Sequence, residues 1–227
     1  MHTSSILRMK WFVDNYAERM DKETIKVLDV GSYDVNGSYK HLFDGKNYQY
    51  TGLDMEEGPN VDIVLNSPYD WNKLGTDAYD IVISGQAFEH IEFFWITMSE
   101  MTRVLNKGGL MCVIAPKGFD EHRFPVDCYR FFSDGMIALA RYVSIDPLHA
   151  HTNCAPNIAD RDWYSERNAD SMLIARKPYS GLPKYVDLKN YQCTPVDQED
   201  IRTGLLPYVR KDVTSIKGRL WRRIKRL

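Results

Sequence analysis

The chain has 227 residues, of which 44% are hydrophobic and 26% charged, as expected for one globular α/β domain with a sizeable core. The formal net charge of −2 predicts nothing about a nucleic-acid partner, and the four cysteines lack C-x-x-C spacing, so neither a zinc site nor a disulfide scaffold is indicated. No signal peptide is recognisable and no apolar run approaches the roughly 18 residues of a membrane span, so a cytoplasmic protein is expected.

The first predicted element is an amphipathic helix. Residues 5–20 carry apolar side chains at helical spacing with charged residues between them, and Ser4 or Ser5 is the candidate N-cap. The pattern predicts a helix that packs against a sheet before the first strand begins.

The next two elements are strands, and each ends in a residue of special chemistry. Val27–Val30 predicts a short buried strand, followed directly by Gly31, where the backbone must turn sharply or approach a ligand. Tyr48–Leu53 predicts a second strand, which ends in Asp54. A strand, a glycine turn and an acid after the next strand are the parts that hold the adenosine half of a cofactor.

The loop after the first strand separates two classes of cofactor. Dinucleotides need three glycines there so that a pyrophosphate can lie against a helix N-terminus. Tyr33 occupies the second glycine position, and Asp34 would repel a diphosphate. S-adenosylmethionine (SAM) carries no phosphate and does not require those glycines. The segment resembles the class I SAM-dependent methyltransferases, with Asp29 and Gly31 matching the first family motif and Asp54 the second.

Two later motifs of this family follow in order. Further strands are predicted at Val61–Leu65, Asp80–Ser84 and Leu110–Ala115. The triplet at residues 88–90 resembles the fourth family motif and begins a predicted helix that runs to about Leu105. The Gly108-Gly109 pair before the next strand is the other family motif, and it would end this helix as a left-handed C-cap. Together the four motifs cover about residues 26–116.

The resemblance implies a single Rossmann-like class I methyltransferase domain with a mostly parallel seven-stranded sheet, helices on both faces and a C-terminal β-hairpin. It implies SAM as cofactor and S-adenosylhomocysteine (SAH) as product. Asp54 would bind the ribose hydroxyls, and Asn66 either binds the adenine amino group or opens a turn before Pro68. Tyr33 and Phe88 are candidates to face the cationic sulfur. The expected cofactor-binding residues are Asp29, Gly31, Ser32, Tyr33, Gly37, Asp54, Met55, Asn66, Ser67, Ser84 and Gln86.

The segment after the fifth strand is the most distinctive part of the sequence. Residues 122–131 follow the pattern His-x-x-Pro-x-Asp-x-x-Arg-Phe, which resembles a subset of small methyltransferases of sugar, polysaccharide and natural-product pathways. Ser133 is the candidate N-cap of a helix over 134–141. The last two strands are predicted at Tyr142–Ile145 and Ser171–Arg176. The polar segment His149–Asp170 between them has the length of a lid or binding loop.

Two histidines are candidates for the base that a hydroxyl acceptor needs. His122 lies after the fifth strand with Asp127 as a candidate orienting carboxylate, and His90 begins the helix after the fourth strand, where the helix dipole favours neutral imidazole. The alternatives are a structural turn at His90 and an Asp127–Arg130 pair that ties the loop to itself. The catalytic candidates are therefore His122, His90 and Asp127. A divalent metal could be held by His122, Asp127 and a third group, but the spacing matches no recognised signature, so no metal-binding set is predicted.

The leading functional hypothesis is O-methylation of a sugar, glycan precursor or related small polar acceptor in polysaccharide biosynthesis. A natural product, carboxylate or phosphorylated acceptor is the first alternative, and a non-catalytic SAM-binding scaffold or a nucleotide-binding oxidoreductase are others. A nucleic-acid substrate is not expected, because the Asn/Asp-Pro-Pro-aromatic motif of amino-group methylation is absent after the fourth strand. The sequence leaves the oligomeric state open.

The end of the chain is basic and is separated from the predicted domain. Residues 1–180 would form the methyltransferase domain, and residues 181–227 a C-terminal extension. Residues 208–227 contain eight basic residues and one acidic residue, with apolar side chains along one helical face. They would either contact anionic lipid at the inner face of the membrane or form a disordered or packed tail.

Overall fold

The computed structural model describes residues 3–44, 47–152 and 169–182. The α-helices there are α1 (Thr3–Asn15), α2 (Phe94–Val104) and α3 (Ser133–Tyr142). The strands are β1 (Ile25–Val30), β2 (Tyr48–Asp54), β3 (Ile63–Val64), β4 (Tyr79–Gly85), β5 (Leu105–Gly118), β6 (Asp146–Thr152) and β7 (Ala169–Arg176). Short 3₁₀ turns cover Ala17–Arg19, Lys40–Phe43 and Phe88–His90.

The seven strands form one sheet in the order β3-β2-β1-β4-β5-β7-β6. Neighbouring strands are parallel except for β7, which runs antiparallel to both β5 and β6. The predicted mostly parallel sheet with a C-terminal hairpin is therefore confirmed. The strand order reverses between β1 and β4, which is the position where open α/β sheets bind ligands beyond the carboxyl ends of their strands.

Helices cover both faces of the sheet, as the continuous apolar runs of its central strands require. On one face Val27 and Ile81 pack with Met9 and Phe12 of α1. The next residue along β4, Val82, points to the other face and belongs to the core that also contains the apolar side chains of α2 and α3. The alternation follows from the two-residue period of a strand.

Strand β5 is longer than the sequence predicts, because it begins at Leu105. Helix α2 begins at Phe94, after the 3₁₀ turn Phe88–His90, so the prediction that His90 begins this helix is wrong. The helix ends at Val104, close to the expected position, but the glycine pair lies inside the strand and does not cap the helix. Gly108 has a φ of +75° and donates its N–H to the carbonyl of Lys177 at 2.9 Å. The buried Lys177 ammonium in turn donates to a last-turn carbonyl of α2, that of Thr102, at 2.9 Å.

The strand predicted at Tyr142–Ile145 is wrong. These residues finish α3 and turn at Ser144, whose φ is +59°, before β6 begins. Their apolar character reflects packing, since Val143 is buried in the core without pairing in the sheet. The polar loop predicted over His149–Asp170 is also too long, because β6 and β7 take residues from both ends. Residues 153–168 lie outside the described residues.

The predicted serine N-caps are wrong as well. Ser4 and Ser5 lie inside α1, and Ser133 is the first residue of α3, with Phe132 in the N-cap position and no side-chain cap. The Ser4 hydroxyl instead donates to the buried carboxylate of Asp170 on β7 at 3.1 Å. This contact brings the start of α1 to the end of the sheet.

Two predictions fall on parts of the chain that the structure does not describe. The extension and its basic end, residues 208–227, lie within residues 183–227, outside the described residues, and the domain boundary after residue 180 stays a prediction. Within the described ranges, no helix has the length and apolar character needed to cross a bilayer.

Candidate active site

The turn after β1 lies against the turn after β4. Gly31 has a φ of +78° and donates its N–H to the carbonyl of Leu53 at 2.9 Å. A Cβ atom at Gly31 would lie 2.5 Å from the Cβ of Ala87, so a larger residue does not fit there. The two turns therefore meet at the reversal point of the sheet, where the sequence predicts the cofactor.

The loop that follows Gly31 closes on itself. Asp34 accepts the N–H of Gly37 at 2.6 Å, and Gly37 has a φ of +118°, so the loop closes at this glycine. The next element is the 3₁₀ turn Lys40–Phe43, and no α-helix starts between β1 and that turn. The loop thus presents a carboxylate and no helix N-terminus, an arrangement unsuited to a pyrophosphate.

Asp54 is held in place at the end of β2. Its carboxylate accepts the N–H of Tyr33 at 2.9 Å and that of Met55 at 2.7 Å. Asp54 also accepts the N–H of Glu56 at 3.3 Å, so of the about four lone-pair positions of a carboxylate about one is left for a ribose hydroxyl. The Tyr33 ring packs over Gly58, yet 38% of its surface is exposed, and Met55 is 48% exposed.

Asp29 is buried within β1 and accepts a hydrogen bond from the hydroxyl of Tyr50. Burial raises the pKa of Asp29 to about 7, against the lowering effect of the Tyr50 bond, and the charge of Asp54 adds to the rise. Ser32 donates to the carbonyl of Asn60 at 2.9 Å. Asp29 and Ser32 therefore support the loop that carries the predicted cofactor contacts.

Asn66 follows the edge strand β3 and is exposed. The N–H of Leu65 donates to the carbonyl of Asp54 at 2.8 Å, which places Asn66 at the same edge of the sheet. The Ser67 hydroxyl accepts the N–H of Tyr69 at 3.3 Å, in a local turn. The adenine role of Asn66 and the cofactor role of Ser67 stay predictions.

Ser84 and Gln86 form the part of the site that follows β4. The buried Ser84 hydroxyl donates to the carbonyl of Val30 at 2.8 Å. Gln86 has a φ of +58°, and its side-chain amide donates to Asp170 at 3.0 Å. Phe88 is fully buried in the core, so it cannot face a cofactor sulfur, and Tyr33 is the remaining candidate of the two.

The loops after β4 and β5 bring His90 and His122 together, with ring centroids 4.9 Å apart and ring planes at 86°. His90 Nδ1 lies 2.6 Å from the carbonyl of Val126. Because a carbonyl can only accept, Nδ1 carries the proton and Nε2 is unprotonated. Burial lowers the pKa of His90, so neutral imidazole is favoured.

Asp127 anchors the loop that carries His122. Its carboxylate accepts two hydrogen bonds from Arg130, at 2.5 and 2.8 Å, and the backbone N–H of His122 at 2.8 Å. These bonds, that of Arg130 above all, hold the pKa of Asp127 far below its usual range. The His122 ring nitrogen Nδ1 lies 3.7 Å from this carboxylate but 3.0 Å from the carbonyl of Asp120. Asp127 therefore positions His122 by binding the backbone N–H of that residue. Asp127 is also paired with Arg130, as the structural alternative in the sequence analysis describes.

Glu89 is a member of this cluster that the sequence analysis did not select. Its side chain is 1% exposed, and neither carboxylate oxygen has a hydrogen-bond partner. One oxygen lies 3.7 Å from His90 Nε2. Burial raises the pKa of Glu89 to about 8. The sequence shows an acid next to the candidate His90, but it does not show that this acid is buried, which is what separates Glu89 from an ordinary surface glutamate.

Comparison with known proteins agrees with this geometry. Residues 28–113 match a protein family described as "Methyltransferase domain". No curated protein sequence gave a significant match to the chain. The matched segment runs from β1 into β5 and so contains the predicted cofactor site together with Glu89 and His90.

Solved structures share the fold at low sequence identity. The 1,6-didemethyltoxoflavin-N1-methyltransferase of Burkholderia thailandensis, solved with 1,6-didemethyltoxoflavin and SAH, has a TM-score of 0.58 and 14% identity, covering 77% of this chain and 78% of that one. A SAM-dependent methyltransferase from Archaeoglobus fulgidus has a TM-score of 0.53 and 14% identity, with 76% and 95% covered. The cyclase SpnF has a TM-score of 0.55 and 18% identity, with 74% and 81% covered. The domain match and the shared fold confirm the resemblance to class I SAM-dependent methyltransferases.

Proposed function

We propose that this chain, whose residues 28–113 are a methyltransferase domain on the class I fold, transfers the methyl group of SAM to a hydroxyl of a sugar, glycan precursor or related small polar acceptor. Methyl transfer with SAM as cofactor follows from the domain. The observation that supports a hydroxyl acceptor is the pair of histidines, His90 and His122, that meet beyond the ends of β4 and β5. A hydroxyl must lose a proton to accept a methyl group, whereas an amine can attack as its free base.

The residues around the β1 turn fit SAM in their chemistry. When bound, SAM supplies a methyl group on a cationic sulfur, and the protein's part is to align the reactants and exclude water. Asp54 offers a fixed carboxylate to ribose hydroxyls, and Asn66 offers an exposed amide at the neighbouring strand end. The exposed ring of Tyr33 offers a π face to a cation. Asp34 and the short 3₁₀ turn make the same loop unsuitable for a diphosphate.

His122 is the proposed base. Its contact with the carbonyl of Asp120 places the proton on Nδ1 and leaves Nε2 free to take a proton from the acceptor. Its side chain is 29% exposed, against 13% for His90, so an acceptor reaches it more easily. Phe124 is 63% exposed and lies 5.8 Å from the His90 ring, which gives the acceptor an apolar surface beside the polar groups.

Two alternatives have specific support. The Burkholderia enzyme is named as an N1-methyltransferase, which favours a natural-product acceptor with a nitrogen nucleophile. SpnF is named as a cyclase, so this fold also serves chemistry other than methyl transfer, and a SAM-binding protein without transferase activity is the second alternative.

Cofactor binding and acceptor chemistry are tested separately. Isothermal titration with SAH should show binding by the wild type and at least about tenfold weaker binding by Asp54→Ala, because a fixed charged acceptor contributes about 1.5–3 kcal/mol. Asp44→Ala, an exposed acid after the 3₁₀ turn, is the control and should bind as the wild type. Equal affinity in Asp54→Ala would show that the ribose is not held there.

Acceptor identity is tested with radiolabelled SAM and cell-extract fractions, with and without glycosidase treatment. The proposal requires label in a glycosidase-sensitive product, and loss of transfer in His122→Asn with SAH affinity unchanged. His41→Asn, an exposed histidine near the 3₁₀ turn, should keep full activity. Label that appears only in a glycosidase-resistant product, or full activity of His122→Asn, would contradict the proposed acceptor or base.

The membrane contact of residues 208–227 is a further proposal, supported by their eight basic residues and by the apolar side chains that a helix would place on one face. Full-length protein and protein truncated after residue 207 would be pelleted with anionic and with neutral liposomes. Only the full-length protein should pellet with the anionic liposomes. Equal pelleting of both proteins would contradict the proposal.

A further inference from the structure

Glu89, His90 and His122 form a compact cluster of metal-binding groups. One ligand atom from each residue lies within 4.8 Å of the other two. Zinc bonds to nitrogen and oxygen of about 2.0–2.2 Å place two tetrahedral ligands about 3.4 Å apart. The measured separation of 3.7 Å between His90 Nε2 and the nearer Glu89 oxygen is close to that value. Small side-chain movements would bring all three groups around one ion.

The state of Glu89 is an independent observation that indicates a ligand. A carboxyl group that is 1% exposed normally has hydrogen-bond partners, yet neither oxygen of Glu89 has one. Leaving such a group unpaired is unfavourable, because it gives up its hydration without a replacement. One oxygen lies 3.7 Å from His90 Nε2, and the ligand atom of His122 is also within reach, so a cation bound among the three groups would give the Glu89 carboxylate the partner that it lacks.

The histidines are prepared as ligands by their second nitrogen atoms. His90 Nδ1 donates to the carbonyl of Val126, and His122 Nδ1 donates to that of Asp120. Metal-binding histidines characteristically donate their other N–H to a carbonyl or carboxylate, which fixes the ring and leaves the ligand nitrogen unprotonated. Asp127, paired with Arg130, holds the backbone of His122 in place.

We propose that Glu89, His90 and His122 bind one divalent transition-metal ion of the zinc type. A set of two imidazoles and one carboxylate is a known catalytic zinc set and leaves a position open for another ligand. Mg²⁺ and Ca²⁺ are disfavoured, because they take oxygen ligands almost exclusively.

The role of the ion rests on the proposed function. An acceptor hydroxyl bound at the open position would have a lower pKa and release its proton to solvent. The oxygen then forms a bond to the methyl carbon of SAM as the carbon–sulfur bond breaks, which leaves SAH as a neutral thioether. His122 is then a ligand of the ion instead of the base. This difference separates the two proposals experimentally.

The test is metal binding by the full-length protein, with any affinity tag removed and after treatment with a chelator, without SAM or acceptor. Isothermal titration with Zn²⁺ should give one ion per chain, and Co²⁺ should give visible absorption bands of a protein-bound ion. Glu89→Gln and His122→Gln should each lower the Zn²⁺ affinity at least about 100-fold, since loss of a supporting partner alone costs 10–100-fold. Glu121→Gln, an exposed acid of the same loop, is the matched control and should bind as the wild type.

Each result decides between the proposals. Glutamine has nearly the shape of the protonated carboxyl group, so Glu89→Gln should fold, and its far-ultraviolet circular dichroism and melting temperature check this. If the wild type shows no saturable Zn²⁺ binding, or if Glu89→Gln binds as tightly as the wild type, the metal site is refuted. Methyl transfer without bound metal would then leave His122 as the base. Metal binding without methyl transfer to any fraction would keep the site and refute the proposed function.

Discussion

The substitution Asp29→Asn should change how the stability of this protein depends on pH. Asp29 is 3% exposed in the middle of β1, and its burial raises its pKa from 3.8 to about 7. In the folded protein the carboxyl group therefore keeps its proton up to about pH 7, whereas in the unfolded chain it loses the proton near pH 4. The folded state binds more protons across this window, so its stability falls as the pH rises.

The size of the effect follows from the difference in pKa. A difference of about 3 pH units, at 1.36 kcal/mol per unit, is a loss of about 4 kcal/mol between pH 4 and pH 7. Asparagine does not titrate and still accepts the hydrogen bond of Tyr50 through its side-chain oxygen. We therefore expect Asp29→Asn to match the wild type near pH 4.5 and to exceed it by several kcal/mol at pH 8.

The assay is urea unfolding followed by circular dichroism at pH values from 4.5 to 8. Other acids contribute to the absolute slope, so the informative quantity is the difference between variant and wild type at each pH. Asp44→Asn, at an exposed position, controls for the removal of one charge and should give a difference that is nearly independent of pH. A flat difference for Asp29→Asn, or a variant several kcal/mol less stable than the wild type at pH 8, would refute the reasoning.

Two further predictions concern the turns that build the site. Gly31→Ala should lower the free energy of unfolding by at least about 2 kcal/mol, because alanine is strained at a positive φ and its Cβ would collide with Ala87. Gly118→Ala is the control in the same urea assay. It should leave the free energy of unfolding nearly unchanged, since no atom lies within 4 Å of the added Cβ. Arg130→Gln should cost about 2–3 kcal/mol at pH 7, because it leaves the buried Asp127 carboxylate without its main partner. Since the pKa of Asp127 is depressed in the fold, this contribution is present above about pH 4 and lost on acidification, so the variant and the wild type should converge in acid. Arg123→Gln, in an exposed pair, is its control, and an equal loss there would contradict the argument.

The β1 region was predictable because its signals are local. A β-branched run, one glycine and an acid after the next strand are each determined by a few neighbouring residues, and Gly31 and Asp54 lie where those signals place them. The missing dinucleotide glycines correctly predicted a loop unsuited to a pyrophosphate, since the loop closes through Asp34 and leads to a 3₁₀ turn instead of an α-helix. The predictions of a cofactor class and of a sheet followed from such local patterns.

The errors occur where the same local pattern has two structural uses. A glycine pair after a helix is typical of a C-cap, but Gly108 lies inside β5, because Lys177, which directly follows β7, satisfies the end of the helix. Likewise, the apolar residues at Tyr142–Ile145 resemble a strand, although Val143 and Ile145 are buried in the turn that follows α3. In both cases contacts with distant segments decide the outcome, and the sequence pattern does not contain them.

Sequence reasoning found His90 and His122 as separate candidates, from their residue type and their positions after predicted strands. It did not show that both rings meet at Glu89, because that depends on the pairing of β4 with β5 and on the bonds between the two following loops. Burial also decides the chemistry of Glu89: the same carboxyl group on the surface would be charged and hydrated. Residue identity and strand order could thus be read from the chain, whereas the unpaired carboxyl group between two oriented imidazoles exists only in the folded protein.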